Sequence, residues 1–109
     1  MKTELINRRY QNDGQPCIAL NAVQIQARDE VREKLDSGAY PLELVGCGVC
    51  GGDDQIVIAE KDRYGIPLSV TTCRDCGLIQ TNPRMTDTAY KNFYELEYRR
   101  LYVGDAGPS

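Results

Sequence analysis

The 109-residue chain is predicted to be an α+β fold in which a small β ribbon carrying four cysteines, a two-knuckle hairpin, is flanked by an N-terminal and a C-terminal α-helix. Three observations carry this expectation. Apolar residues recur at four-residue steps over residues 21–38 and again over 86–102, β-rich runs lie between them, and two C-x2-C-G units bracket those runs. The length admits one small domain, or one ribbon with helical flanks, but not two full domains. Trp is absent, Phe occurs once and hydrophobic residues make up 41%. At this size only ~60–65% of the unfolded surface is buried, so the apolar core is thin and a covalent or metal staple would supplement it.

Each element has a local reason. Residues 1–20 are polar, with turns at Asn12-Asp13-Gly14 and Pro16, and read as a loose or extended polar arm. Over 21–38 the apolar positions Val23, Ala27, Val31 and Leu35 define an amphipathic helix. Asn21 is its N-cap with Gln24 three residues on, Glu30 and Lys34 are spaced as an i,i+4 pair, and Gly38 is its stop. The ribbon spans 41–82. Leu42-Glu43-Leu44-Val45 reads as a short strand, and the runs 55–59 and 68–72 form a hairpin around the turn-prone loop 61–67. Asn82-Pro83-Arg84 ends the pattern, and Thr86 and Asp87 suit the start of a Tyr-rich helix over 86–102. Tyr90, Tyr94, Tyr98 and Tyr102 fall on one stripe of that helix beside Phe93 and Leu101, a pattern expected to pack against another element. Residues 103–109 read as a linker.

Composition excludes several functions. Thirteen basic residues against sixteen acidic ones leave a net charge of −3, with a pI near 4.9, which argues against neutralising nucleic-acid phosphates. With no His, there is neither the usual general base nor a Cys–His or Ser–His–Asp triad. Any metal site must therefore be built from thiolates. The start, Met1 to Arg9, lacks an apolar signal core, and five cysteines without one argue for a reducing, cytoplasmic setting. No segment approaches the ~18 apolar residues of a membrane span.

The cysteines carry the chemistry. Cys47-Gly48-Val49-Cys50-Gly51 and Cys73-Arg74-Asp75-Cys76-Gly77 have the spacing of a four-thiolate metal site. In such a knuckle the chain turns tightly so that both sulfurs face one point, and the Gly after the second Cys accepts the positive φ that aims backbone N–H groups at the sulfurs. Four protein thiolates fill a tetrahedron, which marks a structural rather than a catalytic site, with zinc as the expected ion. Iron in the same four sulfurs, as in rubredoxin-like proteins, is the main alternative. Two disulfides would need an oxidising compartment, and a reactive thioredoxin-type pair would need a helix start in a βαβ unit. Cys17 lies apart and reads as an incidental thiol. Residues 46–51 also match G-x-G-x-x-G, but a β-run follows instead of the helix that a dinucleotide fingerprint requires, and two of its positions are the metal cysteines.

The order of the first knuckle, the Asp62-Arg63-Tyr64-Gly65 loop, Cys73-x2-Cys76-Gly77-Leu78-Ile79, Thr81-Asn82-Pro83-Arg84-Met85-Thr86 and Phe93-Tyr94-x3-Tyr98-Arg99-x-Leu101-Tyr102 resembles the zinc-binding N-terminal region of class I S-adenosylmethionine-dependent methyltransferases, particularly bacterial ones of sugar and surface-glycan biosynthesis. The likeness covers about residues 45–102. It implies a ribbon and helical segment placed ahead of a Rossmann-like domain that would bind S-adenosylmethionine, with residues 103–109 leading towards that absent domain. Only Cys47, Cys50, Cys73 and Cys76 carry over as metal ligands. No catalytic or cofactor-binding residue does, so this chain alone is expected not to transfer methyl groups. The resemblance further implies a structural zinc module that shapes the sugar side of the enzyme. Arg63, Tyr64 and Arg84 are then candidate substrate-facing residues, and its own methyltransferase domain and a nucleotide-sugar are the implied partners. Two other readings stand beside it: a stand-alone interaction module whose ribbon and Tyr-rich helix bind a partner protein, and a rubredoxin-like electron carrier.

Overall fold

The computed structural model describes residues 2–105. In chain order its elements are β1 (Lys2–Thr3), α1 (Ala22–Ser37), β2 (Leu42–Glu43), β3 (Gln55–Ala59), β4 (Val70–Cys73), β5 (Ile79–Thr81), β6 (Arg84–Met85) and α2 (Asp87–Leu96), with a 3-10 turn at Arg8–Tyr10 and a π-helical turn at Arg99–Val103. This is a small α+β fold. The chain forms two compact units, one of residues 2–17 with Glu43–Arg84 and the other of Ile18–Leu42 with residues 85–105. The two-residue strands β2 and β6 form a separate two-stranded sheet.

In the first unit a four-stranded sheet has the order β1-β3-β4-β5. The β-branched runs pair antiparallel, Gln55 opposite Cys73, Ile56 opposite Thr72 and Val57 opposite Thr71, with a bulge at Ile58. The loop joining them is fixed by Asp62. Its Oδ1 accepts the Tyr64 and Ile66 N–H groups, both at 2.9 Å, and Gly65 turns the chain at φ 87°. β5 continues the sheet antiparallel to β4, Val70 opposite Thr81 and Thr72 opposite Ile79.

The other edge of β3 is covered by the N-terminal segment. β1 pairs parallel to it, Lys2 opposite Ile56 and Thr3 opposite Val57, and the contact continues through Glu4 N–H to Val57 O at 2.8 Å and Ile6 N–H to Ile58 O at 3.0 Å. Further on, the Lys61 ammonium, only 3% exposed, donates to Asp13 Oδ1 and to Gln15 O, both at 2.6 Å. The polar arm is therefore extended and tied rather than loose. A strand edge with unpaired N–H and C=O groups and a buried cation both need partners, and the arm supplies them.

In the second unit, α1 is closed at both ends. Asn21 Oδ1 accepts from Gln24 N–H at 2.8 Å while Gln24 Oε1 accepts from Asn21 N–H at 2.9 Å, and Gly38 stops the helix at φ 87°. Ala27 and Val31 are fully buried. The expected Glu30–Lys34 pairing survives only as a weak charge attraction across the turn. Glu30 instead makes a two-pronged ion pair with Arg100, and Lys34 donates to Glu97 at 3.0 Å. An exposed i,i+4 pair stabilises by only ~0.3–0.5 kcal/mol, so a bidentate guanidinium or a buried carboxylate outcompetes it.

The single helix expected over 86–102 is also corrected. α2 ends at Leu96, and the helical path resumes as the π turn Arg99–Val103, which closes at Gly104 with φ 74°. Its buried stripe is Ala89, Phe93, Glu97 and Leu101, each no more than 5% exposed. The tyrosine stripe lies one position further on and outside. Tyr94, Tyr98 and Tyr102 are exposed, and they pack on one another at 5.0 and 4.7 Å and around Phe93 at 5.6 to 6.2 Å between ring centroids. Among the described residues every buried side-chain nitrogen and oxygen has a hydrogen-bond partner, and no helix is long and apolar enough to cross a membrane.

Candidate metal centre

The two knuckles are built on one pattern. In the first, Gly51 N–H donates to Cys47 O at 2.9 Å and Cys47 N–H to Gly52 O at 2.7 Å. In the second, Gly77 N–H donates to Cys73 O at 2.8 Å and Cys73 N–H to Leu78 O at 2.8 Å. Gly51 and Gly77 both take positive φ, 73° and 81°, which only glycine adopts without steric cost. The knuckles are brought together by the sheet, since Cys73 ends β4 and faces Gln55 at the start of β3.

As a result the sulfurs of Cys47, Cys50, Cys73 and Cys76 all lie within 4.8 Å of one another. Cys47 Sγ is 3.4 Å from Cys76 Sγ, and Cys50 Sγ is 3.6 Å from Cys73 Sγ. A metal–sulfur bond of ~2.3 Å in a tetrahedron requires sulfur–sulfur edges of about 3.8 Å, within this range. The four side chains can hold a metal ion. Cys47 and Cys73 are buried, and Cys50 and Cys76 are exposed.

Electrostatics make the same point. Backbone N–H groups of Cys50 and Val49, the latter at 3.4 Å from Cys47 Sγ, pull the Cys47 thiol down to about 6. For Cys50 the Gly52 N–H favours the thiolate, but the Cys73 and Cys47 sulfurs outweigh it and push the thiol up to about 12. Cys76 is likewise raised, the Leu78 N–H pulling against the Cys47 sulfur. Cys47 thus ionises readily, whereas Cys50 and Cys76 resist. A divalent cation among them removes that repulsion, and the N–H donors already in place spread the remaining charge.

A polar cluster positions the first knuckle. Asn82, fully buried, accepts from Val45 N–H at 3.1 Å and donates to Val45 O at 2.8 Å. Its Nδ2 also reaches Gln55 Oε1 at 2.9 Å, which accepts from Thr71 Oγ1 at 2.7 Å. Gln80 accepts from Gly48 N–H at 3.0 Å and donates to Gly46 O at 3.1 Å. Side-chain amides thus replace strand pairing for residues 45–48, the stretch that leads into Cys47. These residues escaped sequence reasoning. The available signal was two glutamines at element positions otherwise given to Ile, Val and Thr.

The remaining candidates lie elsewhere. Arg63 and Tyr64 sit in the loop at the far end of the β3–β4 pair, roughly 13 Å along the strands from the cysteine end at ~3.3 Å per residue. Tyr64 is 3% exposed, with the Arg63 guanidinium over its ring at 5.1 Å and donating to its hydroxyl at 3.0 Å. Its ring belongs to the packing of that loop. Arg84 is half-buried on β6. Cys17 Sγ is 4.0 Å from Arg9 O, outside the cluster. No helix follows Gly51, and β3 comes next. Comparison of the chain with protein-family models, curated proteins and solved structures returns no match.

Proposed function

We propose that this chain is a structural zinc ribbon, with Cys47, Cys50, Cys73 and Cys76 as the four ligands. The observation that carries the reading is the convergence of these sulfurs within 4.8 Å of one another. Two matched knuckles supply them, and their backbone donors favour thiolates. With four protein ligands the ion has no open position, so its role is to hold the ribbon and not to activate water or substrate. Zinc suits a closed tetrahedron of thiolates, and iron would occupy the same donors in a rubredoxin-like electron carrier.

The sequence resemblance over residues 45–102 supports the wider setting: a module preceding an S-adenosylmethionine-dependent methyltransferase domain in the cytoplasm, with the ribbon on the sugar side of that enzyme. The exposed tyrosine ladder favours a second reading, an interaction module that binds a partner protein. Metal analysis of chain purified under reducing conditions tests the core proposal. One equivalent of zinc is expected, and less than half an equivalent of zinc or iron would sink it. Co-purification or pull-down with a methyltransferase domain tests the setting separately.

A further inference from the structure

The four sulfurs are unequal in access. Each knuckle buries its first cysteine, Cys47 at 5% and Cys73 at 3% exposure, and leaves its second, Cys50 or Cys76, at the surface. The sulfur of each exposed cysteine also lies in van der Waals contact with that of the buried cysteine of the opposite knuckle, Cys50 with Cys73 at 3.6 Å and Cys76 with Cys47 at 3.4 Å. The surroundings leave the approach open: Val49, between the first two ligands, is 72% exposed, and Ile79, after the second knuckle, is 62% exposed.

We propose that Cys50 and Cys76 are oxidative modification sites for a small hydroperoxide, and that oxidation joins the sulfurs crosswise, Cys50 to Cys73 and Cys76 to Cys47, with release of the metal. This inference rests on the four-thiolate metal reading, because the bound ion is what keeps Cys50 and Cys76 deprotonated. Thiolates are the nucleophiles in such chemistry, and metal coordination keeps all four deprotonated at neutral pH.

The steps balance. Cys50 sulfur attacks one peroxide oxygen, the O–O bond breaks, and a sulfenic acid and hydroxide result. Cys73 sulfur then attacks the Cys50 sulfenic sulfur, the S–S bond forms and a second hydroxide leaves. The same pair of steps at Cys76 and Cys47 consumes a second hydroperoxide, so that four thiolates and two molecules of hydrogen peroxide give two disulfides and four hydroxides. No thiolate is left to hold the divalent ion. The site changes from a net charge of about −2 when loaded to neutral, a change visible as an electrophoretic shift. Access selects the first sulfur attacked, and contact selects its partner. Oxidation within a knuckle would need the Cys47 and Cys50 sulfurs, both held by N–H groups of their own turn, to pair instead.

The test uses the full chain carrying Cys17→Ser, which removes the one thiol outside the cluster, titrated with hydrogen peroxide. Three readouts run together: metal before and after oxidation with a chromophoric chelator, the order in which cysteines lose reactivity to N-ethylmaleimide, and disulfide mapping by mass spectrometry. The expected result is early loss of Cys50 and Cys76, disulfides 50–73 and 47–76, and stoichiometric metal release. Disulfides 47–50 and 73–76, or first oxidation at the buried cysteines, would overturn the inference. A chain that binds no metal before peroxide would refute the zinc reading and this inference with it, whereas a metal-loaded chain that gives other disulfides or keeps its metal would overturn this inference alone. Dithiothreitol with added zinc should restore the starting metal content, and failure to reverse would point to overoxidation and also count against it.

Discussion

Asn82 grips Val45 with both ends of its amide, Oδ1 accepting from the Val45 N–H at 3.1 Å and Nδ2 donating to the Val45 carbonyl at 2.8 Å. Because Val45 leads directly into the first knuckle, this link should couple sheet stability to metal affinity. Asn82→Ala leaves a backbone donor and an acceptor without this partner, at a cost of ~1–3 kcal/mol. Asn82→Asp should be worse despite its near-identical shape, because a carboxylate cannot donate and would face Val45 O and Gln55 Oε1 with like partial charge. Urea midpoints and zinc-competition titrations check both, and an Asp variant at least as stable as the Ala variant would count against this account.

Removal of the metal should unfold the sheet that the cysteines organise. Cys73 ends β4, so Cys76→Ser or chelation takes away the tie that holds its end against residues 47–52. In zinc-finger peptides metal binding supplies an apparent ~10–16 kcal/mol of folding free energy. Hydrogen exchange is expected to show loss of protection in β3, β4 and β5. Unchanged protection and circular dichroism after complete metal removal would contradict a structural role.

Lys34 and Tyr40 hold the Glu97 carboxylate, whose side chain is fully buried, through contacts of 3.0 Å and 2.6 Å. Burial of its hydroxyl and the adjacent carboxylate raise the Tyr40 phenol well above its ordinary range. Lys34→Met strands a buried charge and should cost ~3–5 kcal/mol, whereas Lys34→Met combined with Glu97→Leu should recover much of that loss. A double-mutant cycle by denaturation measures the coupling, and additive effects would refute it.

This buried carboxylate also shows where sequence reading stops. The ends of α1 are written in Asn21, Gln24 and Gly38 because caps are local. The metal ligands are written in two short spacings, and the hairpin in two β-branched runs. By contrast, a four-residue periodicity over 86–102 selects the tyrosines as the inward stripe, since a glutamate is counted as outward. Glu97 turns inward because Lys34 and Tyr40, far away in the chain, satisfy it, and the tyrosines are left outside. Likewise nothing local to Lys2-Thr3 predicts a strand. β1 exists because β3 offers it an open edge.

Acid should act on two carboxylates with opposite sign. The Arg100 hydrogen bonds hold Glu30 below its ordinary value of 4.5, so the stability it contributes is present above that value and is lost as pH falls through the lower folded value. The pair is partly exposed, so Glu30→Gln should cost only ~0.5 kcal/mol at pH 7, and less in high salt. Burial raises Asp62 above 3.8 despite its bonds from Ile66 and Tyr64 N–H, so the folded state gains stability as pH falls through that raised value. Asp62→Asn keeps the Oδ1 acceptor and removes the buried charge. It should leave stability at pH 7 equal or higher and abolish this part of the pH dependence, which thermal melts from pH 3 to 7 would read.

Two glycines of the site should fail for different reasons when replaced. At Gly77 an added Cβ meets nothing within 4 Å, but φ is +81°, so Gly77→Ala carries only the left-handed penalty of ~1–2 kcal/mol, and Gly77→Asn less. At Gly52 an added Cβ would lie 3.0 Å from Asp75 Oδ2 and 3.3 Å from Cys50 Sγ. The Asp75 side chain is exposed and can move away, whereas a sulfur fixed in a metal tetrahedron cannot, so the strain falls on the metal–thiolate bond. Gly52→Ala is therefore expected to weaken zinc binding on the order of tenfold, about 1.4 kcal/mol, while Gly77→Ala should lower stability with and without metal alike. Zinc competition against a chromophoric chelator separates the two, and equal affinities for both variants would show that the Cys50 sulfur has room to move.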